Sequence, residues 1–349
     1  MCLFCQFEKE AGIHTFLLRR ELKSYAEYRQ LKSVLQRYVL IRRDDVDDCY
    51  IRSYYFTHIG YFGITAELTM KNGFTKLDII VNPTNFLSGS YMQTDLFTQR
   101  KLCKNVSMKL DEALANIELS VNDFILSRID LCINVFMTSP MVKAYLKLGK
   151  KSYKEFNVCK KVFEDTADNA HSLTVASRSY EVEIYDKEYE VAQRKHEPLP
   201  DGEYGKILRI ETRLGRDFIE SRIIKPEKLT RNLNDFLEEE EEIMERIIGY
   251  CFYPGTYMTI EKARSLIGSG QYKQQTKGIM QIILKSKTDI ADTLRDIQQK
   301  YDLSDKSIQR IRRKLDMANI NMVTLPMRDA KDCECDFLLG FSDIVKMKI

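Results

Sequence analysis

Phe124-Ile125-Leu126-Ser127-Arg128-Ile129-Asp130-Leu131-Cys132-Ile133-Asn134-Val135-Phe136-Met137 alternates in polarity through its central part. Ile129, Leu131, Ile133 and Val135 fall on one face of a strand, and Arg128, Asp130, Cys132 and Asn134 on the other. Ser139-Pro140 then starts a helix that runs to about Gly149, with the serine as cap and the proline in the first turn. Further along, Ser172–Ala176, Tyr180–Lys187 and Lys206–Leu214 read as three more strands. Upstream, the β-rich runs Tyr61–Met70 and Thr75–Val81 flank Lys71-Asn72-Gly73-Phe74. Asn-Gly between such runs marks a hairpin, because both residues tolerate positive φ. A helix is expected over Arg100–Glu118, where Leu102, Val106, Leu110, Leu114 and Ile117 recur at helical spacing. Another is expected around Leu22–Arg37, inside a mixed segment from about residue 14 to 50. The pattern implies an α+β fold: a mainly antiparallel β-sheet domain flanked by helices over residues 1–225, then a helical C-terminal domain over 226–349.

The 349 residues are 44% hydrophobic and 30% charged, the composition of a well-cored protein. A net charge of +3 is too small to name a partner. No apolar run approaches the ~20 residues of a membrane span. Glu8, Lys9 and Glu10 interrupt any secretory apolar core, so the expectation is a cytoplasmic protein with no membrane partner. Nine cysteines, several lying singly in apolar segments as Cys132 and Cys251 do, suit reduced thiols. Cys2-x-x-Cys5 with Cys333-x-Cys335 is a four-thiolate arrangement that zinc would accept, but the flanking turn glycines of a zinc knuckle are missing.

Beyond Lys225-Pro226 the pattern is helical. Glu238–Glu242 reads as the solvated face of a long helix. From Glu261 to Arg328 there are roughly twice as many Lys and Arg as Asp and Glu. Thr288–Tyr301, the turn Asp302-Leu303-Ser304 and Asp305–Met317 together read as a helix-turn-helix. Ile308, Ile311 and Leu315 form its apolar stripe, and Lys306, Arg310, Arg313 and Lys314 fall mainly off it, as a DNA-reading helix requires. Asn319–Leu325 is expected to follow as a β segment.

The chemistry lies in three strand-like segments. Arg209, Glu211 and Arg213 share one face of their strand. Tyr185 shares a face with Glu183 and Lys187, and Glu188 and Glu190 follow where strand gives way to helix. A tyrosine phenol (pKa ~10) attacks a phosphodiester only when a base, a cation or a metal assists it. Carboxylates such as Asp130, Glu211 and one of the two glutamates are the donors that Mg²⁺ or Mn²⁺ prefers.

These segments resemble those of rolling-circle replication initiators: Arg128-Ile129-Asp130-Leu131, Tyr185-Asp186-Lys187 with Glu190, and Arg209-Ile210-Glu211 with Arg213-Leu214. The likeness is to initiators of small Gram-positive plasmids and gene II-type replication proteins of phages, with related relaxases of conjugative elements. Leu77-Asp78-Ile79-Ile80-Val81-Asn82-Pro83 is similar to an N-terminal strand-and-turn motif of that group. The resemblance covers roughly residues 60–215. It implies a metal-dependent endonuclease and strand transferase that nicks origin DNA, single-stranded or extruded as a cruciform, and stays joined to the 5′ phosphate through tyrosine. Carried over, Tyr185 is the nucleophile and Lys187 a phosphate contact. Asp130, Glu190 and Glu211 are the metal ligands, with Mg²⁺ or Mn²⁺ bound, and Arg128, Arg209 and Arg213 touch DNA. Tyr189 and Glu188 are the rivals of Tyr185 and Glu190. A host helicase, a polymerase and a second copy of the chain are the further partners this implies. Asn134 departs from the pattern, which commonly has a second acid there. His14, His58, His171 and His196 are scattered, against a two-histidine metal site. Two other functions stay open: a conjugative relaxase, and a non-catalytic DNA-binding regulator.

Overall fold

The computed structural model describes residues 8–46, 51–57, 61–89, 95–154, 160–166, 169–194, 205–222, 229–286 and 290–347. Cys2 and Cys5, half of the four thiols whose spacing zinc would accept, lie outside the described residues, as do His58 and His196.

In chain order the elements are β1 (Glu8–Glu21), α1 (Tyr25–Leu35), β2 (Val39–Val46), β3 (Ile51–Thr57), β4 (Ile64–Lys71), β5 (Phe74–Val81), α2 (Pro83–Ser88), α3 (Cys103–Ala115), β6 (Ile125–Phe136) and α4 (Ser139–Ser152). Next come β7 (Lys160–Thr166), β8 (Asn169–Ala176), β9 (Tyr180–Asp186), α5 (Lys187–Arg194), β10 (Ile207–Gly215) and α6 (Arg216–Arg222). The remainder is α7 (Leu229–Glu238), α8 (Glu240–Cys251), β11 (Tyr257–Met258), α9 (Ile260–Ser269), α10 (Gln274–Lys285), α11 (Ile290–Lys300), α12 (Asp305–Met317), α13 (Met327–Asp332), β12 (Phe337–Leu338) and α14 (Phe341–Lys346). The fold is α+β, a mainly antiparallel sheet followed by a helical part.

Two compact units divide the chain, and neither is continuous in sequence. One comprises residues 11–132 and 212–240, and the other residues 1–10, 133–211 and 241–349. The strands β1, β6 and β10 run through both. The change in composition after Lys225-Pro226 therefore precedes the helices α7 to α14, and neither compact unit begins or ends there.

In the unit of 11–132 and 212–240, the strand order is β2-β3-β4-β5-β1-β6-β10. The hairpin between β4 and β5 turns at Asn72 (φ 48°) and Gly73 (φ 83°), two successive left-handed residues as the Asn-Gly reading requires. On one face, Phe16, Leu18, Leu77, Ile79 and Val81 are buried. The helices α1 and α3 bury Leu31, Leu35, Val106, Leu110 and Leu114 in the same unit. α1 begins where Ser24 accepts a hydrogen bond from the Glu27 amide, and α2 where Asn82 does so from Asn85.

The other unit has the order β1-β6-β10-β9-β8-β7. Here α4 lies on β8 and β9. A Cβ at Gly149 would come 2.5 Å from Leu173 Cδ2, so the close approach of helix to sheet needs glycine. An aromatic cluster of Tyr145, Phe252, Tyr257 and Phe341 ties α4 to α14, with centroids 4.9–6.0 Å apart for the pairs Phe252–Phe341, Tyr145–Phe341 and Tyr257–Phe341. Lys9 reaches the C-terminal end of α14, donating to the carbonyls of Val345 and Met347 as well as to Glu241.

Three expectations are corrected. Glu238–Glu242 is not the face of one long helix: α7 ends at Glu238, α8 starts at Glu240, and Glu240 is buried. Asn319–Leu325 forms no strand beyond a single parallel bridge of Ile320 with Thr256. The cause is Asn321, whose amide donates to the carbonyls of Tyr253, Pro254 and Gly255 while its oxygen takes the Val323 amide, so the side chain occupies groups a ladder would use. Finally, α4 takes Thr138 rather than Ser139 as its cap.

Cys333 ends α13, and its thiol hydrogen-bonds the Cys335 sulfur two residues on. That bond holds the Cys335 thiol down at about 7, whereas burial pushes Cys251 up to about 12. The rate of Cys335 modification by iodoacetamide is therefore expected to rise through pH values near 7, with Cys251 inert over the same range. Peptide mass spectrometry across a pH series measures both.

Candidate active site

The polar residues singled out from the sequence fall on strands that bury both of their faces. In β6, Ile129, Leu131, Ile133 and Val135 are fully buried, but so are Cys132, Asn134 and Asp130. Parity placed these side chains on the correct faces without revealing that the strand is central. Each charged group at that depth needs a partner.

In the unit of 1–10, 133–211 and 241–349, Tyr185 on β9 donates its phenol hydrogen to Glu211 Oε2 on β10, at 3.1 Å. Both residues are buried, Tyr185 with 6% of its surface exposed. β9 ends at Asp186, a fully buried carboxylate that accepts from the amides of Tyr189 (3.0 Å) and Gly205 (2.8 Å). Burial pushes the Asp186 carboxyl above the usual range, and these two amides act against that shift. By taking the Tyr189 amide, Asp186 caps α5 and so fixes where the strand becomes a helix. A Cβ at Gly205 would come 2.5 Å from Glu188 Cβ and 2.6 Å from Asp186 Oδ1, so glycine is needed where the chain returns to β10.

The first turn of α5 sorts the two rival glutamates. Glu188 accepts from the Lys206 amide at 2.7 Å and is a tether for the returning chain. Glu190 pairs with the buried Lys187, Nζ to Oε2 at 2.7 Å. Lys187 Nζ also lies 5.8 Å from the Tyr185 ring centroid. Tyr185, Lys187, Glu190 and Glu211 are thus brought together. Tyr189 faces elsewhere: its ring stacks on His171, centroids 3.5 Å apart at 6°. Tyr189 is more exposed than Tyr185.

Arg209 is corrected as a DNA contact. It is fully buried, with Nε donating to Asn134 Oδ1 at 2.7 Å, and Asn134 in turn donates to Glu10 Oε2 at 3.1 Å. Asn134, where an acid was expected, is therefore a neutral link between a buried cation and an anion.

In the unit of 11–132 and 212–240, Asp130 receives a hydrogen bond from Thr15 and stands between two arginines. Arg128 Nε is 3.1 Å and Arg213 Nε 3.5 Å from its Oδ1. Both arginines keep about a third of their side chains exposed. Asp130 holds them in place and is itself largely charge-compensated.

The helix-turn-helix is present as α11, a turn with Asp302 at φ 48°, and α12, capped by Ser304. Ile308, Ile311 and Leu315 are buried, and Lys306, Arg310 and Arg313 are exposed. Lys314 is part-covered, with Nζ 5.8 Å from the Tyr272 ring centroid. No family model matches the chain, and no curated protein matches its sequence.

Arg209→Ala removes one member of a buried polar chain and leaves Asn134 and Glu10 without their cation. It is expected to lower stability by about 3 kcal/mol, read as a fall in the urea midpoint. An unchanged midpoint would show that Arg209 is not structural.

Proposed function

We propose that the chain is a DNA strand nicking-and-joining enzyme that starts rolling-circle replication of a phage, plasmid or integrative element through a tyrosine nucleophile. The observation that carries this reading is the 3.1 Å hydrogen bond from the Tyr185 phenol to Glu211. A phenol attacks phosphorus only if its proton has somewhere to go, and Glu211 is a carboxylate already accepting it. Lys187, beside the same ring, supplies positive charge for the phosphate or the departing phenolate. The chemistry is written as attack by the Tyr185 oxygen on phosphorus, transfer of its proton to Glu211, and departure of the 3′ oxygen, which takes up a proton as the free hydroxyl. The phosphotyrosine conserves the bond energy for rejoining.

Glu211 and Glu190 are the oxygen donors that would hold Mg²⁺ or Mn²⁺ in this reading, and a metal bound there supplies charge relief at phosphorus. Asp130 acts differently from the metal ligand expected of it. It orients Arg128 and Arg213, two part-exposed arginines suited to phosphate oxygens. The partners in this reading are origin DNA, a host helicase and a polymerase. A conjugative relaxase would use the same chemistry at a transfer origin.

Two observations favour other readings. Greater exposure favours Tyr189 as nucleophile. The exposed basic face of α12 favours a DNA-binding regulator in which Tyr185 and Glu211 are only a buried polar pair.

With a single-stranded origin oligonucleotide and Mn²⁺, the protein is expected to form a covalent adduct visible on a denaturing gel. Tyr185→Phe abolishes the adduct, and Glu211→Gln slows its formation by about 100-fold. An adduct that survives Tyr185→Phe and disappears in Tyr189→Phe moves the nucleophile to α5. No adduct with any mobile-element origin supports the regulator.

For α12, Arg310→Ala is expected to reduce the salt dependence of duplex binding by about one counterion. An unchanged slope in a salt titration by fluorescence anisotropy would remove this helix from the DNA interface.

A further inference from the structure

Phe74 is the most exposed aromatic residue at a turn among the described residues, with 82% of its surface open. It stands at the tip of the β4–β5 hairpin, directly across from Lys71, and Lys71, Asn72 and Gly73 are all exposed with it. Two left-handed residues make the turn tight, so the ring is held on a short, rigid support. A large apolar side chain kept in water at a hairpin tip gains nothing for the fold.

The face it belongs to has a definite chemistry. Phe74, Lys76 and Asp78 alternate along β5, with Leu77, Ile79 and Val81 on the opposite, core side. Asp78 is spanned by Arg19 and Lys76, whose side chains remain 29% and 32% exposed. Asp130, in the same unit, is likewise spanned by the part-exposed Arg128 and Arg213. Thr15, which bonds Asp130, and Arg19 share the parity of β1, so both arginine-held acids lie along one open face. Among the described side chains, further acids there include Glu67, which accepts from Tyr55, and Glu21, which pairs with Arg216. With Lys71 added, cations outnumber acids among the described side chains of this face, and it ends at an exposed ring.

We propose that this open face is a track for single-stranded DNA and that Phe74 is the post on which a base stacks at its end. This rests on the nicking reading, since a nicked strand has to be held away from its complement. An unpaired strand offers phosphates at intervals and bare base faces, which matches a row of part-exposed cations closed by an aromatic ring. A duplex hides its base faces and would gain only the charge contacts.

The chain contains no tryptophan, so Phe74→Trp introduces a sole tryptophan at the post, excited selectively over the tyrosines. Titrated with a homothymidine oligonucleotide, F74W is expected to lose emission in step with the anisotropy of the labelled strand. Phe74→Ala is expected to weaken single-strand binding by roughly tenfold, with duplex binding unchanged. Unchanged F74W emission at saturating oligonucleotide, or an F74A affinity equal to that of the unaltered chain, overturns the proposal. Adduct formation by the same proteins reports separately on nicking. An intact adduct beside unchanged emission removes the stacking post alone. Quenched emission without an adduct on the origin strand removes the nicking reading and leaves the post supported.

Discussion

A carboxylate inside a β-sheet is stable only beside a donor or a cation, and this constraint organises the strands around the candidate site. Glu211 has the Tyr185 hydroxyl at 3.1 Å. Asp186 has two backbone amides, and Asp130 has Thr15 and two arginines. Arg209 has Asn134, and Asn134 has Glu10. The Tyr185–Glu211, Thr15–Asp130, Arg209–Asn134 and Asn134–Glu10 pairings join neighbouring strands, and Asp186 joins β9 to the helix it starts. The polar side chains thereby fix which residues face each other at the centre of the sheet, where apolar packing alone tolerates slippage.

The same pairings bear on chemistry. Burying a phenol against a carboxylate gives the proton a fixed acceptor and lowers the reorganisation needed when it leaves. The opposing effect is access, because Tyr185 is nearly closed to solvent. α5 governs both. Its cap, Asp186, follows Tyr185 directly, and its first turn carries Lys187 and Glu190. Movement of that one short helix would change the environment of Tyr185, the proposed nucleophile, without disturbing the strands.

Much of this was legible in the sequence. Alternation located β6, β9 and β10 to within about two residues, Asn72-Gly73 located the hairpin, and three- and four-residue apolar spacing located α3 and α12. The misses have physical causes. In β1 two adjacent residues are often buried together, as Gly12 and Ile13 are, and a strand buried on both faces shows no clean period. β2, β3 and β7 are rich in charge and aromatic residues and carry no period-two signal of their own. Arg209 was misread because parity gives a face and not a depth, and a guanidinium is more often exposed than buried. Asn134 looked like a defect in an acidic motif because its partners, Arg209 and Glu10, come from distant parts of the chain. Asn321 defeated a strand for the same kind of reason: its side chain takes the backbone groups that pairing would need.

The central claim is that the Tyr185 oxygen becomes covalently joined to DNA. Its most direct test is to digest the protein after reaction with an origin strand and locate the nucleotide-bearing peptide by tandem mass spectrometry. The account predicts a phosphodiester on Tyr185, within the peptide that also contains Lys187. A nucleotide found on any other residue, or no nucleotide-bearing peptide after a strand that has been cut, would contradict it.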